Sequence, residues 1–511
     1  MAIQDSTRRL LYIPISSRLG DFNNIFRRIV SAAEHPHLSI PETKAGKSRK
    51  QYHRLINRFL MVVSAHGHIT PLLELSQCLA LKHGISKITF LYPENYHQLV
   101  KHALATEEGI ADRIRLLSIP VGPKNSSLED ASDYRWKMID DGYFSMPEKV
   151  KELIEQVNAA DSDKITCILA DQILGWPMEI AKEKGIQGAI FSATAALLFV
   201  VRLCIPMFID DGIIDNDGNI TKEQMLKLSP SMPTVHTSYL TWPSFGKWQK
   251  LFFEFAYTKN KSLQLADWAL CNSTYELEHA TFDTQPKLTP IGPLLASNSS
   301  RENSSGNFRP EDLACLKWLD QQPPQSVIYV AFGTTAFLDG SEFQELAMGL
   351  ELTNRPFLWV VRSDIVTSNA NDAYLQGFKD RVGSRGLIVS WAPQQEVLQH
   401  HSIACVLFHC GWNSTLEALS NGIPLLCWSD FADQLFNENY ICNVWEVGLQ
   451  FNQVDGKLIT REEIKNKVEE LLSSEKYKAN ALDLKKKLRN SIKEGGFSYN
   501  NLRSFVEWLK I

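Results

Sequence analysis

The chain has 511 residues, 44% of them apolar and 22% charged, with a net charge of −5 and a pI near 6.3. That length exceeds what one hydrophobic core supports and predicts two sizeable domains, while the acidic balance, without Lys/Arg interleaved with aromatics, excludes a nucleic-acid partner. Nine scattered cysteines with no C-x-x-C pair exclude a disulfide framework and a zinc site, and point to a reducing, cytoplasmic compartment.

Residues 1–58 hold 11 Lys/Arg against 4 Asp/Glu, a net +7 ahead of a remainder of −12. They read as a poorly ordered basic extension. The competing reading, an Arg- and Ser-bearing organelle-targeting segment, is weakened by Asp5, Asp21 and the polar KAGKSRKQYHR stretch. From Phe59 short apolar runs alternate with helical patterns. FLMVVS (59–64) predicts a strand, PLLELSQCLALK (71–82) a helix with Pro71 in its first turn, and KITFLYP (87–93) the next strand, which together make a βαβ unit. ITCILAD (165–171) and GAIFS (188–192) predict two further strands with a helix through MEIAKEKG between them. The longest apolar stretch, Ala189–Ile209, is interrupted by Arg202 and Pro206, and its 13 uncharged residues to Val201 are too few to cross a membrane. It reads as core.

Residues 288–312 turn rich in Ser, Asn, Gly and Pro and predict a linker. Beyond it SVIYVAFG (326–333), PFLWVVR (356–362), GLIVSWA (386–392), ACVLFHC (404–410) and IPLLCW (423–428) are the runs of a parallel sheet covered on both faces. The expected fold class is therefore α/β, with two doubly wound Rossmann-like domains over 59–287 and 313–511. In such sheets ligands bind outside the carboxyl ends of the strands.

FHCGWNSTLEALSNG (408–422) stands at such an end, where a strand gives way to a helix that Asn421-Gly422 closes. The positive end of that helix suits a phosphate, with His409, Asn413 and Ser414 as side-chain donors and Gly411 allowing close approach. Ser414-x-x-Glu417 is also a capping-box spacing, and taken alone the pair favours that structural reading. Trp391, after another strand, offers a face to a planar base. Asp433 and Gln434, after the next, offer an acceptor and a donor to sugar hydroxyls, and Glu417 a carboxylate to a ribose diol.

The 44 residues from Trp391 to Gln434, WAPQQEVLQHHSIACVLFHCGWNSTLEALSNGIPLLCWSDFADQ, resemble without a gap the donor-binding signature of plant UDP-dependent glycosyltransferases of the secondary-product type. FLMVVSAHGHITPLLELS and SVIYVAFGT extend the resemblance over roughly 59–511. It implies the GT-B fold, two facing Rossmann-like domains, with a C-terminal helix returning to the first domain. It also implies that Trp391 stacks on uracil, that Ala392 holds the base through its backbone, and that Gln394 lies near the ribose whose hydroxyls Glu417 binds. Thr334, His409, Asn413 and Ser414 would hold the diphosphate, and Trp412, Asp433 and Gln434 would line the sugar. Ser429 replaces the family's usual Pro, which leaves the loop into Asp433 to be traced. By the same resemblance His68, the second histidine of SAHGHITP (64–71), is the catalytic base and Asp171 its partner carboxylate.

The activity so implied is inverting transfer of glucose from UDP-glucose to a hydroxyl or carboxyl of a small hydrophobic plant metabolite, giving a β-glucoside. UDP-sugar is a co-substrate, and neither a cofactor nor a metal is expected. The D-x-D patterns at Asp161–Asp163 and Asp215–Asp217 read as polar turns. Gln434 and Trp412 resemble glucose users, with UDP-galactose or UDP-xylose the alternative donors. The IDDGIIDNDGN to LSPSMP region (209–233) resembles a flavonoid and phenylpropanoid subgroup, and Phe191–Phe208 with 225–237 are expected to line the acceptor pocket. A monomer is expected. A nicotinamide-dependent oxidoreductase is disfavoured, because no G-x-G-x-x-G follows a strand, and a non-catalytic nucleotide-sugar-binding protein by the presence of His68 and Asp171.

Overall fold

The computed structural model describes residues 57–120, 146–294 and 314–510, apart from 62–65, 86, 106–108, 111, 160–163, 259, 335, 337, 363–368 and 455–457. The basic extension up to residue 56, most of the expected linker and the Asp161–Asp163 pattern lie outside the described residues, while the first residues of the expected linker, Leu288–Pro290, are instead a strand of the first sheet, with Leu288, Ile291 and Leu294 buried.

Two parallel sheets organise the chain. The first contains β1 (Asn57–Met61), β2 (Lys87–Pro93), β3 (Ile114–Ile119), β4 (Ile165–Asp171), β5 (Gln187–Ser192), β6 (Trp268–Cys271) and β7 (Leu288–Pro290), in the order β3-β2-β1-β4-β5-β6-β7. The second contains β8 (Val327–Ala331), β9 (Phe357–Val360), β10 (Gly386–Val389), β11 (Ile403–Phe408), β12 (Leu425–Cys427) and β13 (Gly448–Gln450), in the order β10-β9-β8-β11-β12-β13. Every pairing within them is parallel. β8 and β11 are buried along their whole length, which is why their residues run continuously apolar instead of alternating.

The helix expected over 71–82 begins five residues earlier, at His66, runs to Gln77, and continues as a π-helical segment to Lys82. Pro71 therefore lies inside it, not in its first turn. Lacking an N–H, Pro71 leaves the Gly67 carbonyl without its helical donor. That carbonyl accepts instead from Asn413 Nδ2 of the second domain at 2.6 Å. The tertiary bond offsets the lost helical one and places His68 in the helix's first turn.

Ala189–Ile209 divides into β5 and two short helices, Ala196–Leu203 and Ile205–Asp210. Among the described residues no helix is long and apolar enough to cross a membrane. The last helix, Phe497–Leu509, returns to the first domain, where Leu502, Phe505, Val506 and Leu509 join a core with Ile69, Leu72, Phe90 and Phe191. Trp268 packs edge-on against Phe505 at 5.6 Å, and Asn501 Nδ2 donates to the Pro290 carbonyl at 2.8 Å. A second apolar cluster is continuous across both domains, joining Leu197, Val201, Trp242 and Leu277 to Trp412, Phe436 and Tyr440.

Candidate active site

In each sheet the strand order reverses between two neighbours, β1 and β4 in the first and β8 and β11 in the second, and a doubly wound sheet opens its ligand crevice there. His68 and Asp171 follow or end the first pair, and Thr334 and His409 follow the second. A cleft of about 340 Å³ joins the two crevices, and all the expected site residues except Asp171 line it. Asp171 lies fully buried behind His68, its Oδ2 2.6 Å from His68 Nδ1. Its Oδ1 accepts the Ile173 N–H at 2.7 Å. A carboxylate that accepts on both oxygens fixes the proton on Nδ1 and leaves Nε2 of His68, whose side chain is 16% exposed, as the basic atom.

On the facing side the helix of the signature runs from Trp412 to Asn421, with Gly411 before it and Gly422 closing it in the left-handed conformation (φ 69°). It starts two residues before Ser414, so Ser414 and Glu417 do not form the capping box their spacing allows. Gln394 Nε2 donates instead to Ser414 Oγ at 3.1 Å and to Glu417 Oε2, while Tyr329 Oη donates to Gln394 Oε1 at 3.3 Å. Gln394 is thus the hub that orients Glu417. Burial pushes the Glu417 carboxyl up to about 7 against the Gln394 bond.

His409 is buried and held neutral, its imidazole driven down to about 4 by desolvation, and among the described residues its Nδ1 has no hydrogen-bond partner. A Cβ added at Gly333 or Gly411 would run into its ring, so both glycines are required by close approach. Arg362 organises the same corner by donating to the Gly333 and Ala336 carbonyls. Asn413 spends one amide hydrogen on Gly67. The indole N–H of Trp412 is taken by the Asn272 carbonyl at 2.8 Å, so this residue ties the domains together as well as bordering the cleft.

The loop into Asp433 follows a defined path despite Ser429. Ser429 Oγ donates to Glu438 Oε2 at 2.7 Å, and Gln434 Oε1 accepts the Asp430 and Phe431 N–H groups at 3.0 and 3.3 Å. That leaves the Gln434 amide nitrogen as a donor and one oxygen of Asp433 as an acceptor, since the other is bonded to Asn437 Nδ2 at 3.0 Å. Desolvation raises the Asp433 carboxyl above its ordinary range.

Beyond His68 and Asp171, an apolar recess is walled by Phe245, Phe252, Phe255 and Phe431, with Ala193, Thr194 and Arg202 contributing from the expected 191–208 span. The 225–237 stretch lines none of it. Met225–Leu226 pairs with Val235–His236 in a small hairpin whose Leu226 and Val235 are buried. Sequence reading missed Tyr329, Arg362, Phe245, Phe252 and Phe255. The signal for Arg362 was a lone charge ending an apolar strand run. Asp215 of the second D-x-D pattern accepts from the Asp217 and Asn219 N–H groups in an exposed turn.

Residues 305–490 match the family model described as UDP-glucoronosyl and UDP-glucosyl transferase. UDP-glycosyltransferase 83A1 of Arabidopsis thaliana is 40% identical over 87% of this chain and 95% of its own length, and linamarin synthase 1 of Manihot esculenta is 32% identical over 88% and 95%. The structure of Os79 from O. sativa in complex with UDP superposes with a TM-score of 0.71 at 27% identity, covering 88% of this chain and all of that one. UGT2 of Phytolacca americana, at 24% identity, shares the fold with a TM-score of 0.73 over 89% of this chain and 99% of its own. The chain therefore belongs to the plant UDP-glycosyltransferases, enzymes of GT-B fold that glycosylate small metabolites.

Proposed function

We propose that this enzyme transfers glucose from UDP-glucose to a hydroxyl of a small, flat, apolar acceptor such as a flavonoid or other phenolic, with inversion and without a metal. The observation that carries the reading is the His68–Asp171 contact of 2.6 Å, which turns Nε2 of His68 into a cleft whose opposite wall is the Trp391–Gln434 segment. The acceptor hydroxyl gives its proton to Nε2 as its oxygen bonds to the anomeric carbon. The bond from that carbon to the UDP oxygen breaks on the opposite face, and its electron pair leaves with UDP. Asp171 stabilises the imidazolium that forms.

In this reading uracil stacks on Trp391 and bonds the Ala392 backbone, and the ribose diol meets Glu417 with Gln394 beside it. Thr334, His409, Ser414, Asn413 and the N-terminal amides of the 412–421 helix hold the diphosphate and stabilise the charge that builds on it. Trp412 borders the sugar, with Asp433 and the Gln434 amide on its hydroxyls. The preference for glucose over galactose is supported by a fixed amide donor at Gln434, since a site that bonds a particular hydroxyl discriminates against the epimer that misplaces it.

The test is UDP release by the purified enzyme from UDP-glucose, UDP-galactose and UDP-xylose, with and without a panel of plant phenols and small acids, repeated in EDTA. Acceptor-dependent, EDTA-insensitive release that is fastest with UDP-glucose is expected. Release that EDTA abolishes, or a faster rate with another donor, contradicts the corresponding part of the proposal.

A further inference from the structure

The helix Ala196–Leu203 (ALLFVVRL) is apolar except for Arg202, and Ala196–Val201 are all buried. A charged side chain on such a helix is costly unless it has a partner. Arg202 lines the cleft, yet its Nε is buried with no hydrogen-bond partner, and among the described residues its guanidinium forms no ion pair. Asp433 and Asp171 act on it electrostatically without hydrogen-bonding it: Asp433 Oδ2 is bonded to Asn437, and both Asp171 oxygens to His68 and Ile173.

The position of Arg202 is also built from both ends of its helix. Glu278 Oε2 and Oε1 accept the Ala196 and Leu197 N–H groups at 2.9 and 3.0 Å, which clamps the helix start. Asn260 Nδ2 donates to the Arg202 carbonyl at 2.9 Å, which fixes its end. The same cleft is lined by the stacked rings of Phe245 and Phe252, 3.7 Å apart, with Phe431 edge-on to Phe245 at 5.9 Å.

We propose that Arg202 is a specificity-determining residue that binds a carboxylate on the acceptor, so that the preferred substrates are flat, apolar hydroxy acids. This rests on the glycosyltransferase reading of the cleft and narrows its acceptor class. A guanidinium presents a planar fork that matches a carboxylate in two hydrogen bonds, and such a pair gains strength where water is excluded. Among the described residues that line the cleft Arg202 is the one Lys or Arg, so a single negative charge on the acceptor matches it. The remainder of the acceptor lies against the phenylalanines, and its hydroxyl reaches His68.

The experiment compares 4-hydroxycinnamate with its methyl ester, which keeps the phenol and ring and removes only the charge. Both are assayed as acceptors with the wild-type enzyme, Arg202→Met and Arg202→Lys, and UDP affinity is measured alongside to show that each variant retains its donor site. The wild type is expected to favour the acid in kcat/KM by about 10- to 100-fold, as a charge-assisted pair implies. Arg202→Met should bring that ratio toward one, and Arg202→Lys should keep part of it. An equal loss for acid and ester with UDP affinity intact would overturn the proposal and leave Arg202 as a counter-ion for Asp433, and so would a wild-type preference for the ester. If neither compound is glycosylated, the glycosyl-transfer reading is what has failed for these acceptors. Equilibrium binding of acid and ester to the UDP-loaded protein then decides on Arg202, and equal affinities overturn it.

Discussion

Glu417 holds a proton up to about pH 7 because burial outweighs its bond from Gln394. In the proposed donor contact the ribose diol needs the carboxylate, so binding must expel that proton whenever the pH lies below about 7. The sign follows from linkage: UDP affinity rises with pH, by up to tenfold per unit below about 7, and levels off above it. Calorimetry between pH 5.5 and 8.5 should show that rise, and Glu417→Gln should flatten it and bind UDP more weakly throughout. Trp391, Ala392, Gln394, His409, Ser414, Glu417, Asp433 and Gln434 could be picked from the sequence because they fall within one uninterrupted segment of 44 residues. Tyr329 and Arg362 could not, and Arg202 only as one residue of the 191–208 span, since a polar residue in an apolar run reads the same whether it bonds a neighbouring carbonyl, a hub amide or a ligand. Only the fold distinguishes the Arg362 guanidinium, which bonds two carbonyls, from that of Arg202, whose buried Nε has no hydrogen-bond partner among the described residues.

Helices set the positions of these groups, and their ends carry the energetics. Glu278 accepts from the Ala196 and Leu197 amides and from Ser273 Oγ at 2.6 Å, all of them buried. Glu278→Ala leaves three buried donors unmade and should cost about 3 kcal/mol or more of stability in denaturant unfolding, with Glu278→Gln recovering part of it. At the first histidine helix the sequence misleads for a definite reason. Proline is favoured in a first turn, so Pro71 reads as a start, and what permits it five residues further in is a donor from the other domain. Pro71→Ala lets the helix satisfy Gly67 by itself and should raise thermal stability while weakening the hold of Asn413, seen as a higher UDP-glucose KM. The signature helix starts at Trp412 with Gly411 at the cap position, so the capping spacing of Ser414 and Glu417 goes unused.

Across the whole molecule the cleft depends on how the domains are held together. Trp412 to Asn272, Trp445 Nε1 to the Leu277 carbonyl at 3.2 Å, Ala432 N–H to Ser244 Oγ at 3.0 Å and Asn413 to Gly67 all cross between them. The final helix adds a further link by burying Phe505, Val506 and Leu509 in the first domain. Truncation before Phe497 should expose that core and lower the unfolding midpoint of the first domain by several kcal/mol in stability terms, since each such side chain contributes roughly 1.5–3 kcal/mol. The doubly wound order of both sheets was legible as alternating apolar runs. The facing of the two crevices was not, because it is set by single interdomain bonds that leave no periodic trace. The account stands or falls on the base that this facing brings to the donor. The most direct measurement is the transfer rate of His68→Ala under saturating UDP-glucose, with UDP affinity determined on the same preparation. The account predicts a loss of about 10²- to 10⁴-fold in kcat with UDP affinity unchanged. A rate within a few-fold of wild type would contradict it and remove His68 as the base.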